Sequence, residues 1–491
     1  MIKNFHQFYC SQLLCFGIFC LPQIVVHAQD FIPDSVQFAL HEADVPTSSI
    51  SLLVLPLGAN DAKLSLQANA AMSPASTMKL VTSFIALDEL GPTFRWKTQL
   101  LSEVEPKNNR LKGTLFFRGG GAPDLSWERV GELLRALRNK GVQHIKGNIV
   151  LDRSYFQPQR FDMNIPAFDE TPDAYYNVIP DALLVHSNLT GFEIESSGSR
   201  IKYNIFPPMT QLTIRNHLTL SDLACGEWEK NWQSPKVKTE HQYHTIVTLS
   251  GEFPRNCKIS SELNILDRNL YIEHLMRKLW TEMGGSWNGH VIDGVTPASA
   301  KIIIEKTSDT LADNIKVINK RSDNAMARLL YLTLGAEDKN RAEGVTSFQA
   351  AQSRVRQWFK KNSIDDEGLI LENGSGLSRS ERITAQQLAG LLQVAGKSNW
   401  FAEFSASLPI VGVDGTMRKR LVGTTAAARA RMKTGTLRDT TALAGYVRDV
   451  ADKTWVVVAI INDPNAAKAR PVLDALIEWV ASGSPANLPT N

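Results

Sequence analysis

Ser73-Pro74-Ala75-Ser76-Thr77-Met78-Lys79-Leu80 opens the stretch on which the reading of this chain turns. From Ser76 to Leu90 the apolar residues Met78, Leu80, Val81, Phe84, Ile85 and Leu87 recur at helical spacing, and Gly91-Pro92 stops the run, which predicts a helix buried along one face. Positions i and i+3 share a helix face, so the Lys79 amine can reach the Ser76 hydroxyl. A serine is a weak nucleophile until a base takes its proton, and a lysine in a partly dehydrated, cation-rich pocket can be neutral enough to serve. The alternative is a helix N-cap with a solvated lysine one turn on. The pattern is weak alone, because Ser199-Arg200-Ile201-Lys202 repeats it. That second copy runs into an alternating, strand-like segment, where Ser199 and Lys202 would point to opposite faces.

Working outward, two further short motifs follow in order. Ser322-Asp323-Asn324 stands at a turn between two helical stretches. It reads either as a cap for the second helix or as a hydroxyl, Ser322, that relays a proton to a leaving amine beside an amide, Asn324, that binds substrate and steadies Lys79. Lys433-Thr434-Gly435-Thr436 lies on a predicted strand, and no other Lys-Thr/Ser-Gly occurs in the chain. Gly435 would let a ligand backbone approach closely, while Lys433 and Thr434 could hold a carboxylate; a strand end with a turn glycine is the plainer reading. Each motif has a bland explanation, but the three in this order with their expected local structures do not arise easily by accident.

Two strands (49–57 and 63–67) precede the Ser76 helix. A β-rich texture then runs from about Trp96 to Lys301, and helices followed by strands (431–433, 441–448, 454–461) and a last helix, 466–481, close the chain. This order suggests one domain split by an insertion. The whole is 491 residues with 43% hydrophobic and 21% charged residues, 31 glycines and 22 prolines, which excludes collagen-like and low-complexity classes and implies two to four domains. A net charge of +3 is too balanced for a dedicated nucleic-acid surface.

Residues 1–28 read as an export signal, with Lys3 at the positive start, an apolar stretch from Phe8 to Val26, and Val26-His27-Ala28 before a cut at Gln29. Gln12, Pro22 and Gln23 interrupt the run and count against an uncleaved anchor. No later segment is apolar enough to span a bilayer. Of five cysteines, Cys10, Cys15 and Cys20 would leave with the signal. Cys225 and Cys257 remain as an even pair in an oxidising compartment, which predicts one disulfide, the periplasm being the expected location. Nothing in the sequence fixes the oligomeric state.

The motif set resembles the class C low-molecular-mass penicillin-binding proteins, the D-alanyl-D-alanine carboxypeptidase/endopeptidase family. The resemblance rests on Pro74–Leu80, Asn319–Asn324, Asn373-Gly374-Ser375-Gly376-Leu377-Ser378-Arg379, Leu408–Met417 with its Val413-Asp414-Gly415-Thr416, and Lys433–Thr436. Spacing adds to it: 246 residues separate Ser76 from Ser322, against 111 from Ser322 to Lys433, and a large insertion between the first two motifs marks this family, whereas β-lactamases lack it. The implied fold is α/β (α+β): a split transpeptidase/β-lactamase-like domain, an antiparallel sheet flanked by helices, over 29–97 and 306–491. Two nested β-rich inserts, 98–177 with 253–305 and, inside it, 178–252, would interrupt it.

The implied activity is serine-type D-Ala-D-Ala carboxypeptidase and endopeptidase on peptidoglycan muropeptides, with β-lactams as covalent inhibitors. Ser76 would be the nucleophile, Lys79 its base and Ser322 the proton relay. Asn324, Lys433, Thr434 and Thr436 would bind substrate, the backbone N–H groups of Ser76 and Thr436 would hold the oxyanion, and no metal or organic cofactor is called for. The resemblance also implies an acidic residue of the first insert that greets the amine of the stem's diamino acid. Asp173, preceding Tyr175-Tyr176, is the candidate, with Asp169 and Glu170 as close competitors. The competing functions are a β-lactamase or esterase on the same fold and a non-catalytic peptidoglycan-binding scaffold.

Overall fold

The computed structural model describes residues 31–163, 168–240 and 244–487; the expected export segment, 1–28, lies outside them. At the centre stands a five-stranded antiparallel sheet in the order Ala430–Leu437, Thr440–Arg448, Thr454–Asn462, Ile50–Pro56, Leu64–Leu66. The strands read as almost unbroken apolar runs because both faces are covered. Alternation still sorts their side chains: Leu53, Leu55, Val456, Val458 and Ile460 join the cluster that includes Leu80 and Phe84. Leu52, Val54, Val457, Ala459 and Ile461 join the opposite cluster, with Val36 and Leu40 from the helix Asp34–Glu42 and Val472, Leu473 and Leu476 from Arg470–Ala481. The helix Lys79–Leu90 packs among Leu311–Arg321, Asn324–Ala336, Ser347–Lys361 and Ala385–Lys397, the last of which also lies against the sheet, and its first nine residues are buried.

The chain leaves this unit at Trp96 and re-enters at Ser308, where Ser308 N donates to Trp96 O (3.0 Å) and Trp96 N to Ser308 Oγ (3.0 Å). Lys97–Ser102 and Lys301–Thr307 continue as paired antiparallel strands. They belong to a mixed sheet that also holds Leu115–Gly119, Ile149–Asp152 and Val291–Gly294, with helices Trp127–Asn139 and Arg268–Glu282. Beyond it lie two three-stranded sheets, one of Leu212–Ser221, Thr245–Pro254 and Trp232–Thr239, the other of Lys258–Leu263, Thr190–Ser197 and Arg200–Phe206. The Cys225–Cys257 disulfide is present, with Cα atoms 5.2 Å apart.

The expected end of the inner insert at 252 falls inside the strand Thr245–Pro254, and Lys258–Leu263 pairs with Thr190–Ser197. We therefore propose that the inner insert returns after Leu263: hydrogen-bond ladders, which sequence texture does not display, tie these strands together.

Candidate active site

The run predicted as one helix from Ser76 begins instead as a single 3-10 turn, Ala75–Met78, before the α-helix Lys79–Leu90. Thr77 closes that turn twice on Pro74 O, through its N–H (3.2 Å) and its hydroxyl (2.8 Å). Ala75 sits at φ +45°, a left-handed conformation that disfavours a side chain. The kink turns Ser76 out into a cleft while Lys79, the first residue of the helix proper, points into the protein and is fully buried.

Lys79 Nζ lies 3.0 Å from Ser76 Oγ and donates to Asn324 Oδ1 (2.6 Å) and to the Ser375 carbonyl (2.6 Å). Burial holds its pKa down at about 7, against an ordinary 10.5; Arg328 pushes the same way, while Asp323 and Glu381 oppose. A lysine so placed is partly neutral near pH 7, and its lone pair can then accept the Ser76 proton.

Ser322 ends the helix Leu311–Arg321 at φ +60°, and it is Asp323, not Ser322, whose side chain caps the next helix by accepting from Met326 N (2.8 Å). The Ser322 hydroxyl is thereby free to accept from Lys433 Nζ (2.9 Å), which also donates to Thr434 O (2.7 Å). Lys433 is fully buried, and burial, with the nearby Lys79 charge, pushes its pKa well below the ordinary value. Asn324 spans the gap to the insert, its amide donating to Tyr176 O (3.1 Å).

Gly435 is where the strand Ala430–Leu437 meets the turn. A Cβ built there would fall 2.6 Å from Pro74 O and 3.0 Å from Ser76 N, so only glycine lets the strand edge approach the serine this closely. Thr436, two positions beyond Thr434 and exposed, lines the cleft opposite Ser76. Thr434 Oγ1 pairs with Thr416 Oγ1 (2.8 Å). Thr416 is held by the preceding loop, where Asp414 takes an ion pair from Lys320 (2.6 Å) and the Ile410 N–H (2.8 Å).

Ser76, Lys79 and Asn324 thus form one hydrogen-bonded set and Ser322, Lys433 and Thr434 another, and Ser76, Ser322, Asn324 and Thr436 line the same cleft. Asp173 does not join them. The bridge Ala174↔Leu263 and the bond from Asn264 N to Asp173 O (2.8 Å) draw that segment toward the inner insert, and the Asp173 carboxylate accepts from the Ser234 hydroxyl. Its competitors line the cleft instead. Asp169 accepts from Tyr176 Oη (2.9 Å) and Asn177 Nδ2 (2.8 Å), and Glu170 pairs with Arg438 (3.1 Å). Ser199, of the second Ser-x-x-Lys, sits in an exposed turn between two insert strands.

The cleft has a volume of about 820 Å³, and four arginines, Arg321, Arg379, Arg382 and Arg438, stand along it with Asp169, Glu170, Asp439 and Asp463. Among the described residues no group of three or more His, Cys, Asp or Glu is arranged to hold a metal ion. Residues without a role in the sequence reading also belong here: Ser375 and Thr416, and Glu381, a buried carboxylate behind Lys79.

The profile of the D-Ala-D-Ala carboxypeptidase 3 (S13) family matches residues 34–482. A D-alanyl-D-alanine carboxypeptidase of Actinomadura sp. (strain R39) is 27% identical over 394 residues, covering 76% of this chain and 70% of its own. The D-alanyl-D-alanine carboxypeptidase DacB of Haemophilus influenzae is 25% identical over 396 residues, 80% of each chain. The crystal structure of penicillin binding protein 4 (dacB) from H. influenzae superposes with a TM-score of 0.75 at 23% identity, over 91% of this chain and all of that one.

Proposed function

The chain belongs to the D-Ala-D-Ala carboxypeptidase 3 (S13) family, and on that premise we propose that it hydrolyses the D-Ala-D-Ala peptide bond of peptidoglycan stems, and D-Ala cross-links between stems, through an acyl-enzyme on Ser76. The observation that carries this reading is the buried Lys79 amine, bonded at once to Ser76, Asn324 and Ser375.

Neutral Lys79 takes the Ser76 proton as Oγ attacks the carbonyl of the penultimate D-alanine. The oxyanion gathers the backbone N–H groups of Ser76 and Thr436; the close approach that Gly435 permits supports the pairing. As the tetrahedral intermediate collapses, the C–N bond breaks and the proton that Lys79 took passes through the Ser322 hydroxyl, oriented by Lys433 at 2.9 Å, to the leaving amine, which leaves Lys79 neutral again and Lys433 charged. Thr434, Thr436 and the Lys433 charge hold the terminal carboxylate. Water then adds to the ester, Lys79 takes its proton and returns it to Ser76 Oγ as the ester bond breaks, so the free serine and the neutral lysine are both restored. In a cross-link, the leaving amine is the side-chain amine of a neighbouring stem instead of free D-alanine.

A β-lactam offers the same carbonyl and carboxylate in a strained ring, so it acylates Ser76 and leaves slowly. We place the enzyme, exported, in the periplasm with its substrate; among the described residues no helix is long and apolar enough to cross a membrane. The test is mass spectrometry of the peptide containing Ser76 after incubation with penicillin, together with digestion of purified cross-linked muropeptides. An unmodified Ser76, or muropeptides returned intact, would overturn the proposal.

A further inference from the structure

Behind Lys79 the segment Asn373–Leu377 makes a tight loop, with Gly374 at φ +69° and Gly376 at φ +82°. It touches both members of the Ser–Lys pair. Its Ser375 carbonyl accepts from Lys79 Nζ, and Gly376 packs so closely on the residue before the nucleophile that a Cβ would fall 1.8 Å from Ala75 O. Its Gly374 carbonyl accepts from Thr82 Oγ1 (2.6 Å), one turn along the Lys79 helix.

A loop of this kind has several backbone N–H groups pointing inward, and buried donors must be satisfied. Here one side chain satisfies four of them. Glu381, fully buried, accepts through Oε1 from the N–H groups of Glu372 (3.1 Å), Asn373 (2.9 Å) and Gly374 (2.8 Å), and through Oε2 from Gly376 (3.0 Å). Both oxygens are engaged, on either side of Ser375.

We propose that Glu381 is a positioning residue for Lys79: its carboxylate gathers the Asn373–Leu377 backbone so that the Ser375 carbonyl is aimed at the amine. Glu381 does not touch substrate; it acts through the loop. The inference rests on Lys79 being the general base. The other charged and titratable groups bearing on the two residues are Asp323, Arg328 and Lys433 for Lys79, and Glu372, Arg328 and Tyr331 for Glu381. Burial raises the Glu381 pKa and the backbone donors oppose it. A carbonyl acceptor and a negative charge both favour the ammonium, so removing either lowers the Lys79 pKa.

The test uses Glu381→Gln and Glu381→Asp in the full chain. The readout is the pH profile of the second-order rate of acylation by a labelled penicillin, per active site counted by stoichiometric labelling. Glu381→Gln keeps the shape but presents an amide N–H₂ to backbone donors and removes the charge. The expected result is a rate lowered about tenfold on the plateau, with the acid limb moved to lower pH by about half a unit or more. Glu381→Asp keeps the charge with a shorter reach, so it should slow the plateau while moving the limb less than Glu381→Gln does.

A purely structural role would reduce the number of active sites without moving the limb or the rate per site, and that outcome overturns the proposal. Should Glu381→Gln fail to fold, Glu381→Asp decides: a wild-type rate per site refutes it. Failure of wild type itself to label at Ser76 would instead count against the function proposed above.

Discussion

Replacing Gly435 with alanine puts one methyl group where the strand Ala430–Leu437 meets the turn that carries Ser76. Its carbon would lie 2.6 Å from Pro74 O and 3.0 Å from both Ala75 Cβ and Ser76 N, all of them backbone or backbone-fixed atoms with no rotamer to yield. Reaching an ordinary contact of 3.4 Å from the nearest of these requires the strand edge to withdraw by about 0.8 Å. Overpacking of this sort costs about 1–3 kcal/mol, which a domain with so large a core should survive. The same displacement carries the Thr436 N–H away from the oxyanion, and misplacement near 1 Å lowers rates by about a hundredfold. Acylation of Gly435→Ala by a fluorescent penicillin, normalised to folded protein by its melting transition, should therefore fall about 10- to 100-fold. A rate within about twofold of wild type would refute the argument that strand and turn together form the oxyanion site.

Ser76→Ala should abolish the penicillin adduct in a protein that melts like wild type; an adduct mapped to Ser199 would remove Ser76 from the mechanism. With the Lys79 pKa at about 7, acylation should rise with pH through about 7 and fall about tenfold per unit below it, because only the neutral amine accepts the proton; a flat profile between pH 5 and 9 contradicts that role. Replacing Cys225 and Cys257 by alanine opens a 32-residue separation, worth about 3–4 kcal/mol on the chain-entropy account. The loss should appear in the melting of the inserts while acylation stays unchanged. Asp173→Ala should alter neither penicillin acylation nor muropeptide cleavage, its carboxylate being bonded to Ser234 away from the cleft; slower muropeptide cleavage alone would return it to the substrate site.

What could be read in the sequence is what depends on short-range geometry. The Ser76–Lys79 pairing follows from a three-residue spacing that a 3-10 turn and an α-helix both bring to one side. The central strands announced themselves as apolar runs, and the disulfide followed from an even cysteine pair. Adjacency to Tyr175-Tyr176 does not reveal which way the chain turns: the bridge from Ala174 to Leu263, 89 positions on, draws Asp173 toward the inner insert, while Asp169 and Glu170 line the cleft. Glu381 carries no mark in the sequence, since the four N–H groups that claim it belong to backbone. The start of the helix Ala385–Lys397 is legible in the sequence, where Thr384 and Gln387 form a capping box. The marks of the split were visible, but the register of the insert strands was not, because their pairings are set by partners far along the chain.

The neck at Trp96 and Ser308 bears on how such a divided sheet can assemble at all. Ser49 reaches Asp463 (2.8 Å) across 414 positions, so the first and last thirds of the chain must find each other before the serine has its surroundings. Trp96 and Ser308 meet across 212 of those positions. If the intervening segment folds first, it acts as a clasp that shortens the remaining search by about half. Because closure entropy grows only with the logarithm of length, halving the loop recovers merely about 0.6 kcal/mol. Thermodynamically, then, the catalytic unit hardly notices its passengers; kinetically, it stays incomplete until the strand Thr454–Asn462 arrives, so an unfinished chain carries no working hydrolase.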